Sequence, residues 1–186
     1  LADLQKLKVF PSEVGIDLMI LAAHVYAADT RISRTTESQD TWTREIRLVV
    51  PVLNVNIWNN TREQIVRLLN FLTGDRWSVS FRQRPSSFEK IVQKDAKELF
   101  GSNYTGVSLF SGGLDSLIGA IDTLEAGKAP LLVSHAGDGA TSKAQELCFE
   151  KLKANYKKIS FSRLRFWLNI PGDIFKGIQT EDTTRG

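Results

Sequence analysis

Ser111-Gly112-Gly113-Leu114-Asp115-Ser116 is the segment of this 186-residue chain best suited to chemistry. An apolar stretch of strand type, Val107 to Phe110, leads into it, and an apolar helical pattern follows to about Leu124. Two glycines between a strand and a helix let the backbone turn sharply and leave its N–H groups uncovered. The helix N-terminus adds unpaired donors and roughly half a positive charge. Such a loop suits an anion, with the hydroxyls of Ser111 and Ser116 as further donors. Asp115 would repel a phosphate unless a cation such as Mg²⁺ lay between them. The residues therefore specify a phosphate-plus-magnesium site, with Asp115 and Ser116 as the catalytic candidates. A Gly-Gly turn with a Ser cap also forms without any ligand. The full set of fixed positions between a strand and a helix favours the site.

No segment supplies Gly, four residues and then Gly-Lys-Ser/Thr, so this is not the common P-loop, and it does not match the dinucleotide fingerprint. Residues 111–116 resemble the Ser-Gly-Gly-x-Asp-Ser signature of the PP-loop ATP pyrophosphatases. The resemblance implies that Ser111, Gly112, Gly113, Leu114, Asp115 and Ser116 hold the pyrophosphate of ATP, with magnesium at Asp115. A substrate oxygen would attack the α-phosphorus, giving an adenylated substrate and free pyrophosphate. Within that group the chain is most similar to 7-cyano-7-deazaguanine synthases, which adenylate a carboxylate and then replace AMP with ammonia. The leading region is unlike that core enzyme. Its Leu18 to Asp29 stretch, Trp42-Thr43-Arg44-Glu45 and Leu72-Thr73-Gly74-Asp75-Arg76-Trp77 resemble a synthase-like branch that includes QatC, a component of a bacterial anti-phage system.

The resemblance has departures. The synthases continue after their second strand with Asp-Tyr-Gly-Gln and a following His, whereas here His135 is followed by Ala136-Gly137-Asp138-Gly139-Ala140. Only Gln145-Glu146-Leu147 keeps the look of that segment, so the deazaguanine acceptor is not implied by the loop alone. The family's zinc site needs four cysteines; zinc is expected only if such a cluster lies beyond residue 186. Glu181 to Gly186 resembles the start of the family's later nucleotide-side segment, with Arg185 facing phosphate. The resemblance thus covers about half of a PP-loop domain, and the first residue, Leu1, suggests that sequence is missing before it.

Composition sets wider bounds. Hydrophobic residues at 42% and charged residues at 24% suit a globular core. A net charge of +3 without a clustered basic face gives no reason to expect nucleic acid. The single cysteine, Cys148, excludes an internal disulfide and fits a cytoplasmic setting. The longest apolar run, about Val14 to Ala28, contains Asp17 and His24 and is too short to span a bilayer. It also lacks a signal-peptide pattern.

Periodicity divides the chain. Helical spacing of Val14, Leu18, Leu21, Ala22 and Val25 predicts a helix over 12–29, followed by a polar loop over 31–41. Residues 44–53 and 76–84 alternate as strands. Between them Asn60 to Glu63 reads as a capping box, Ile65, Leu68, Leu69 and Leu72 as one apolar stripe, and Gly74 as a C-terminal stop. Residues 1–84 thus predict a small α+β domain. A linking helix follows from Ser86 to about Phe100. Residues 102–186 then predict a Rossmann-like parallel α/β unit, the PP-loop domain in part, with strands at 107–110, 131–135 and 159–164 and helices at 115–126 and 142–155. Ligands bind at the carboxyl ends of such strands, where Ser111 and His135 both fall.

His135, Asp138 and Arg185 are candidates for the substrate or nucleotide side, although capping and packing suit His135 and an ordinary turn suits Gly137-Asp138-Gly139. His24 and Cys148 read as packing residues, Arg163 and Arg165 as a solvated strand face, and Trp42, Trp58, Trp77 and Trp167 as core or interface aromatics. Three functions fit. One is an ATP-dependent ligase that adenylates a deazapurine acid, with ammonia or a protein amine as nucleophile. Another is a nucleotide-binding subunit of a defence complex that does not turn ATP over. A tRNA-modifying adenylating enzyme would require a basic face that is missing. The leading region is expected to recruit a partner protein rather than to bind ATP.

Overall fold

The computed structural model describes residues 2–38, 40, 42–92, 104–136, 139–168 and 170. It is a mixed α/β structure with two small parallel sheets. The described residues fall into two compact units, one of residues 11–92 with 170, the other of residues 2–10 with 104–168.

In the first unit, helix α2 (Glu13–Arg31) starts where Ser12 Oγ accepts a hydrogen bond from Gly15 N–H at 3.1 Å. The second unit's helix α1 (Ala2–Lys6) precedes it in the chain. Residues 31–41, expected to be a loop, include a short helix α3 (Arg34–Glu37). Strands β1 (Glu45–Val52) and β2 (Arg76–Gln83) pair in parallel, as a β-α-β reading requires. The crossover holds two helices, α4 (Val55–Asn60) and α5 (Arg62–Thr73). Asn54 caps α4, accepting from the N–H groups of Asn56 and Ile57, a start that the sequence reading missed. The expected capping box is not formed, because Asn60 is the last residue of α4; Thr61 takes the cap position of α5 and its hydroxyl bonds back to the Trp58 carbonyl at 3.2 Å. Gly74 ends α5 in the left-handed region at φ 72°.

Alternation along both strands buries Ile46, Val50, Val52, Trp77 and Val79 against Leu21 and Ala28 of α2, Trp58 of α4 and Leu69 of α5. The expected stripes are only partly inward. Val14, Leu18, Leu68 and Leu72 are exposed, because Ile16, Asp17 and Leu21 turn α2 inward and Ile65, Val66 and Leu69 do so for α5. Trp58 and Trp77 are core residues, whereas Trp42 and Trp167 are exposed.

Two buried carboxylates tie this unit together. Asp17 accepts from the Leu53 N–H at 3.0 Å, Trp58 Nε1 at 2.9 Å and Arg84 Nε at 2.9 Å, so it binds helix α2 to the ends of both strands. Arg84 also reaches Glu13 at 2.6 Å. Asp75 accepts from Arg44 Nη2 at 2.6 Å and forms a two-pronged pair with Arg34 at 2.6 and 2.9 Å. Arg44 itself holds the carbonyls of Asp29 and Ile32, the last residues of α2 and its cap.

Residues 86–92 differ from the predicted linking helix. A single 3-10 turn, Ser86–Phe88, ends at Glu89, and the rest of that helix, residues 93–100, lies outside the described residues. Past the turn, Glu13 Oε1 accepts from the N–H groups of Ile91 and Val92 at 2.9 and 2.8 Å.

The second unit alternates strand and helix: β3 (Gly106–Leu109), α6 (Leu114–Glu125), β4 (Pro130–His135), α7 (Gly139–Asn155) and β5 (Ser162–Phe166). The strands run parallel in the order β3-β4-β5. Ala120 and Leu124 of α6 and Leu152 of α7 close over Leu132 of the central strand, with Phe110 and Phe161. Cys148 packs against this core, as its expected filler role requires. Arg163, expected on a solvated face, is instead covered: its guanidinium lies 4.6 Å from the Phe149 ring centre and donates to the Gln145 carbonyl at 2.8 Å. No helix among the described residues is long and apolar enough to cross a membrane.

Burial raises the Asp75 carboxyl's pKa, but hydrogen bonds from Arg44 and Arg34 outweigh that and hold it below its ordinary value of 3.8. A depressed pKa stabilises the fold above the ordinary value, and that contribution is lost as pH falls through the folded value. Asp75→Asn should therefore cost roughly 3 kcal/mol at pH 7, since it removes the buried carboxylate shared by the buried Arg44 and the partly buried Arg34. The gap from wild type in urea midpoints should be constant above pH 5 or so and shrink as pH drops below about 4. A gap that widens on acidification would refute this account of Asp75.

Candidate functional site

The loop is fixed from beneath. Phe110, 1% exposed, ends β3 with its N–H on the Val133 carbonyl at 2.7 Å and its carbonyl accepting from Ser134 Oγ at 2.7 Å. Gln145, fully buried on α7, donates from Nε2 to the carbonyls of His135 at 2.9 Å and Ser111 at 3.3 Å. One amide thus joins the carboxyl ends of β3 and β4. Ser134 carries no local signal in the sequence, being a lone polar residue on an inward face; Gln145 is marked only by the resemblance of Gln145-Glu146-Leu147, which says nothing of this role.

The two glycines are not equivalent. Gly112 has φ 83°, and a Cβ there would lie 2.8 Å from the Gln145 backbone nitrogen. Both conformation and space demand glycine. Gly113 has φ −83° and ψ 171°, ordinary for the residue capping α6, and the nearest atom to an added Cβ is Ser111 Oγ at 3.5 Å.

Above this base the loop presents donors. The backbone N–H groups of Gly112, Leu114, Asp115 and Ser116 have no acceptor among the described residues. They sit at the start of a 12-residue helix with no side-chain cap. This is the arrangement that accepts an anion at a helix terminus. Ser111 Oγ accepts from Gly113 N–H at 3.3 Å and lies 3.1 Å from Ser116 Oγ, which donates to the Gly113 carbonyl at 2.9 Å. Both predicted hydroxyls therefore line the cradle, joined to each other. Asp115 is exposed in the first turn of the helix and Leu114 is 71% exposed. One carboxylate suits a magnesium ion whose other ligands are phosphate oxygens and water. Among the described residues no three His, Cys, Asp or Glu side chains converge as a metal cage.

His135 lies at the same end of the sheet, its ring 5.2 Å from that of Phe166 on β5. Its half-buried ring packs as the capping and packing alternative expected. Asp138 and Arg185 lie outside the described residues. The structure thus brings Ser111, Gly112, Gly113, Leu114, Asp115 and Ser116 together in one cradle, with the His135 backbone tied to it through Gln145.

No protein-family model, curated protein or solved structure matches the chain.

Substitution separates the two glycines. Gly112→Ala should lower stability by about 2 kcal/mol or more, combining left-handed strain with a backbone collision. Gly113→Ala should cost less than about 1 kcal/mol, the loss of a favourable cap residue. Thermal melts of the two variants test this, and equal losses would mean that Gln145 does not constrain the loop.

Proposed function

We propose that the 111–116 loop binds ATP by its pyrophosphate portion and that the protein transfers the adenylyl group to a carboxylate. The observation that carries this reading is the cradle of free N–H groups over Gly112, held open by Gln145. The match of Ser111 to Ser116 with the PP-loop signature supports the choice of nucleotide, and the resemblance of the leading region supports a cytoplasmic role in anti-phage defence.

In the reaction, a carboxylate oxygen attacks the α-phosphorus, the bond to the bridging oxygen breaks, and pyrophosphate leaves with the electron pair. Magnesium, when bound, would supply positive charge to the phosphates, and Asp115 would hold it. The N–H groups of Gly112, Leu114, Asp115 and Ser116 stabilise the charge that grows on the leaving group, and they are oriented before the reaction begins. Ser111 and Ser116 Oγ can turn from each other to phosphate oxygens. No side-chain nucleophile is required. The acceptor is a deazapurine-like acid, and ammonia or an amine of a partner protein then displaces AMP.

Pyrophosphate release from ATP, measured with and without 7-deazaguanine carboxylic acid and with hydroxylamine to trap an activated acyl group, tests the proposal. Release should depend on the acid and fall at least about a hundredfold in Asp115→Asn, the loss of roughly 2.7 kcal/mol of transition-state stabilisation. ATP binding without pyrophosphate release under any of these conditions would leave a nucleotide-binding subunit and overturn the enzymatic reading.

A further inference from the structure

We propose that the outer edge of β2 is a docking edge for an extended, acidic peptide segment of a partner protein. The ladder to β1 begins with Arg76 N–H on the Arg44 carbonyl at 2.9 Å and ends with Arg84 N–H on the Val52 carbonyl at 3.0 Å. In a parallel pair, alternate residues bond the neighbouring strand, so Arg76, Ser78, Ser80 and Arg82 serve β1. Trp77, Val79 and Phe81 direct their backbone groups the other way. Asn70 Oδ1 takes the Trp77 N–H at 2.9 Å, but among the described residues nothing pairs the outward N–H and C=O groups of Val79 and Phe81.

The opposite edge of the sheet is obstructed at both ends, with Glu45, Arg47 and Val49 outward between them. In the outward register of β1, Pro51 has no N–H to offer, and an antiparallel bridge from Ser38 meets Arg44 just before the strand. Two parallel strands alone are a small sheet, and parallel sheets are ordinarily extended and covered. The open edge of β2 is where this one can grow.

A groove of about 470 Å³ runs beside that edge, lined by Arg62, Glu63, Val66 and Arg67 of α5 and by Trp77 and Val79 of β2. An added strand would place alternate side chains on the α5 side, against Val66 and the arginines, and the others on the open face of the sheet. That open face carries Arg47, Arg76 and Arg82 against one acid, Glu45. In the groove, Arg62 and Arg67 outweigh Glu63, which lies 3.7 Å from Arg67. Both faces therefore favour acidic side chains. The backbone edge itself selects a peptide, because its alternating donors and acceptors match another strand and not a nucleic acid.

Titration of the full chain, isotope-labelled, with a fluorescein-labelled decapeptide alternating Val and Glu tests this. Binding should shift and protect the Val79 and Phe81 amides, and the Val-Lys counterpart should bind at least about tenfold more weakly, ~1.4 kcal/mol. Val79→Pro removes an outward N–H without touching the β1 ladder and should weaken binding similarly. Should that variant fail to fold, N-methylation of the peptide replaces it: methyls on one alternate set of amides should abolish binding, and on the other set leave it intact. The proposal is overturned by no binding at millimolar peptide, by equal binding of the two peptides, by indifference to both methylation registers, or by tighter binding of a single-stranded RNA decamer.

Discussion

A methyl group on Gly112 would fall 2.8 Å from the backbone nitrogen of Gln145, and this close approach of loop to helix organises the loop end of the second unit. At that distance α7 and the loop share one van der Waals surface, so the loop cannot settle without rising over the helix. The Gln145 side chain then fixes the height by holding the Ser111 and His135 carbonyls. Because it is fully buried, its amide competes with no water, and each bond is correspondingly stiff. The N–H groups of Gly112, Leu114, Asp115 and Ser116 have no acceptor among the described residues, while the carbonyls of Phe110 and Ser111 are held from below. Packing thus leaves these donors without an acceptor among the described residues, which is what the proposed anion site requires.

The first unit solves a different problem. A two-stranded sheet offers little apolar area, and one face of it is left open. Asp17 and Asp75 supply connections that a larger core would otherwise provide. Each lies on one element and reaches arginines and backbone groups on others, so each specifies geometry more than it adds net stability. A buried ion pair tolerates no slip of register, whereas leucines would tolerate several. Glu13 extends the same network to the N–H groups of Ile91 and Val92, which fixes how the chain leaves β2.

Local signals were read well and long-range ones were not. The Ser12 cap, the alternation along β1 and β2, Gly74 and the strand-loop-helix around Ser111 each depend on residues within a few positions of one another. The capping box failed because Asn60, its cap residue, ends α4 instead, which the sequence does not mark as a separate helix. The stripe through Leu68 and Leu72 failed because a helix covered on one side needs only part of its apolar residues inside. Asp17 and Arg84 stand far apart in sequence, as do Arg44 and Asp75, and nothing in composition pairs them. Gln145 is marked in the sequence only by the resemblance of Gln145-Glu146-Leu147, and its helical position gives no hint of what it holds. Its importance exists only once Gly112 is above it.

The electrostatics of the cradle limit what it can hold. The helix terminus supplies about half a positive charge. Asp115 in the same turn carries a full negative one, so the first turn taken alone is net negative. A triphosphate brings several more negative charges. Donated hydrogen bonds from four backbone groups and two hydroxyls offset some of the repulsion, at roughly 1.5–3 kcal/mol for each bond to a charged group. The hydroxyls must first break their own chain through Ser111, Ser116 and Gly113, which cuts their share. A neutral ligand would gain nothing from Asp115, and a bare anion is opposed by it. Under the proposed reading, the residue fits the loop when a cation arrives with the anion, and its position in the first helical turn is what would favour a metal-bound polyphosphate over a bare anion.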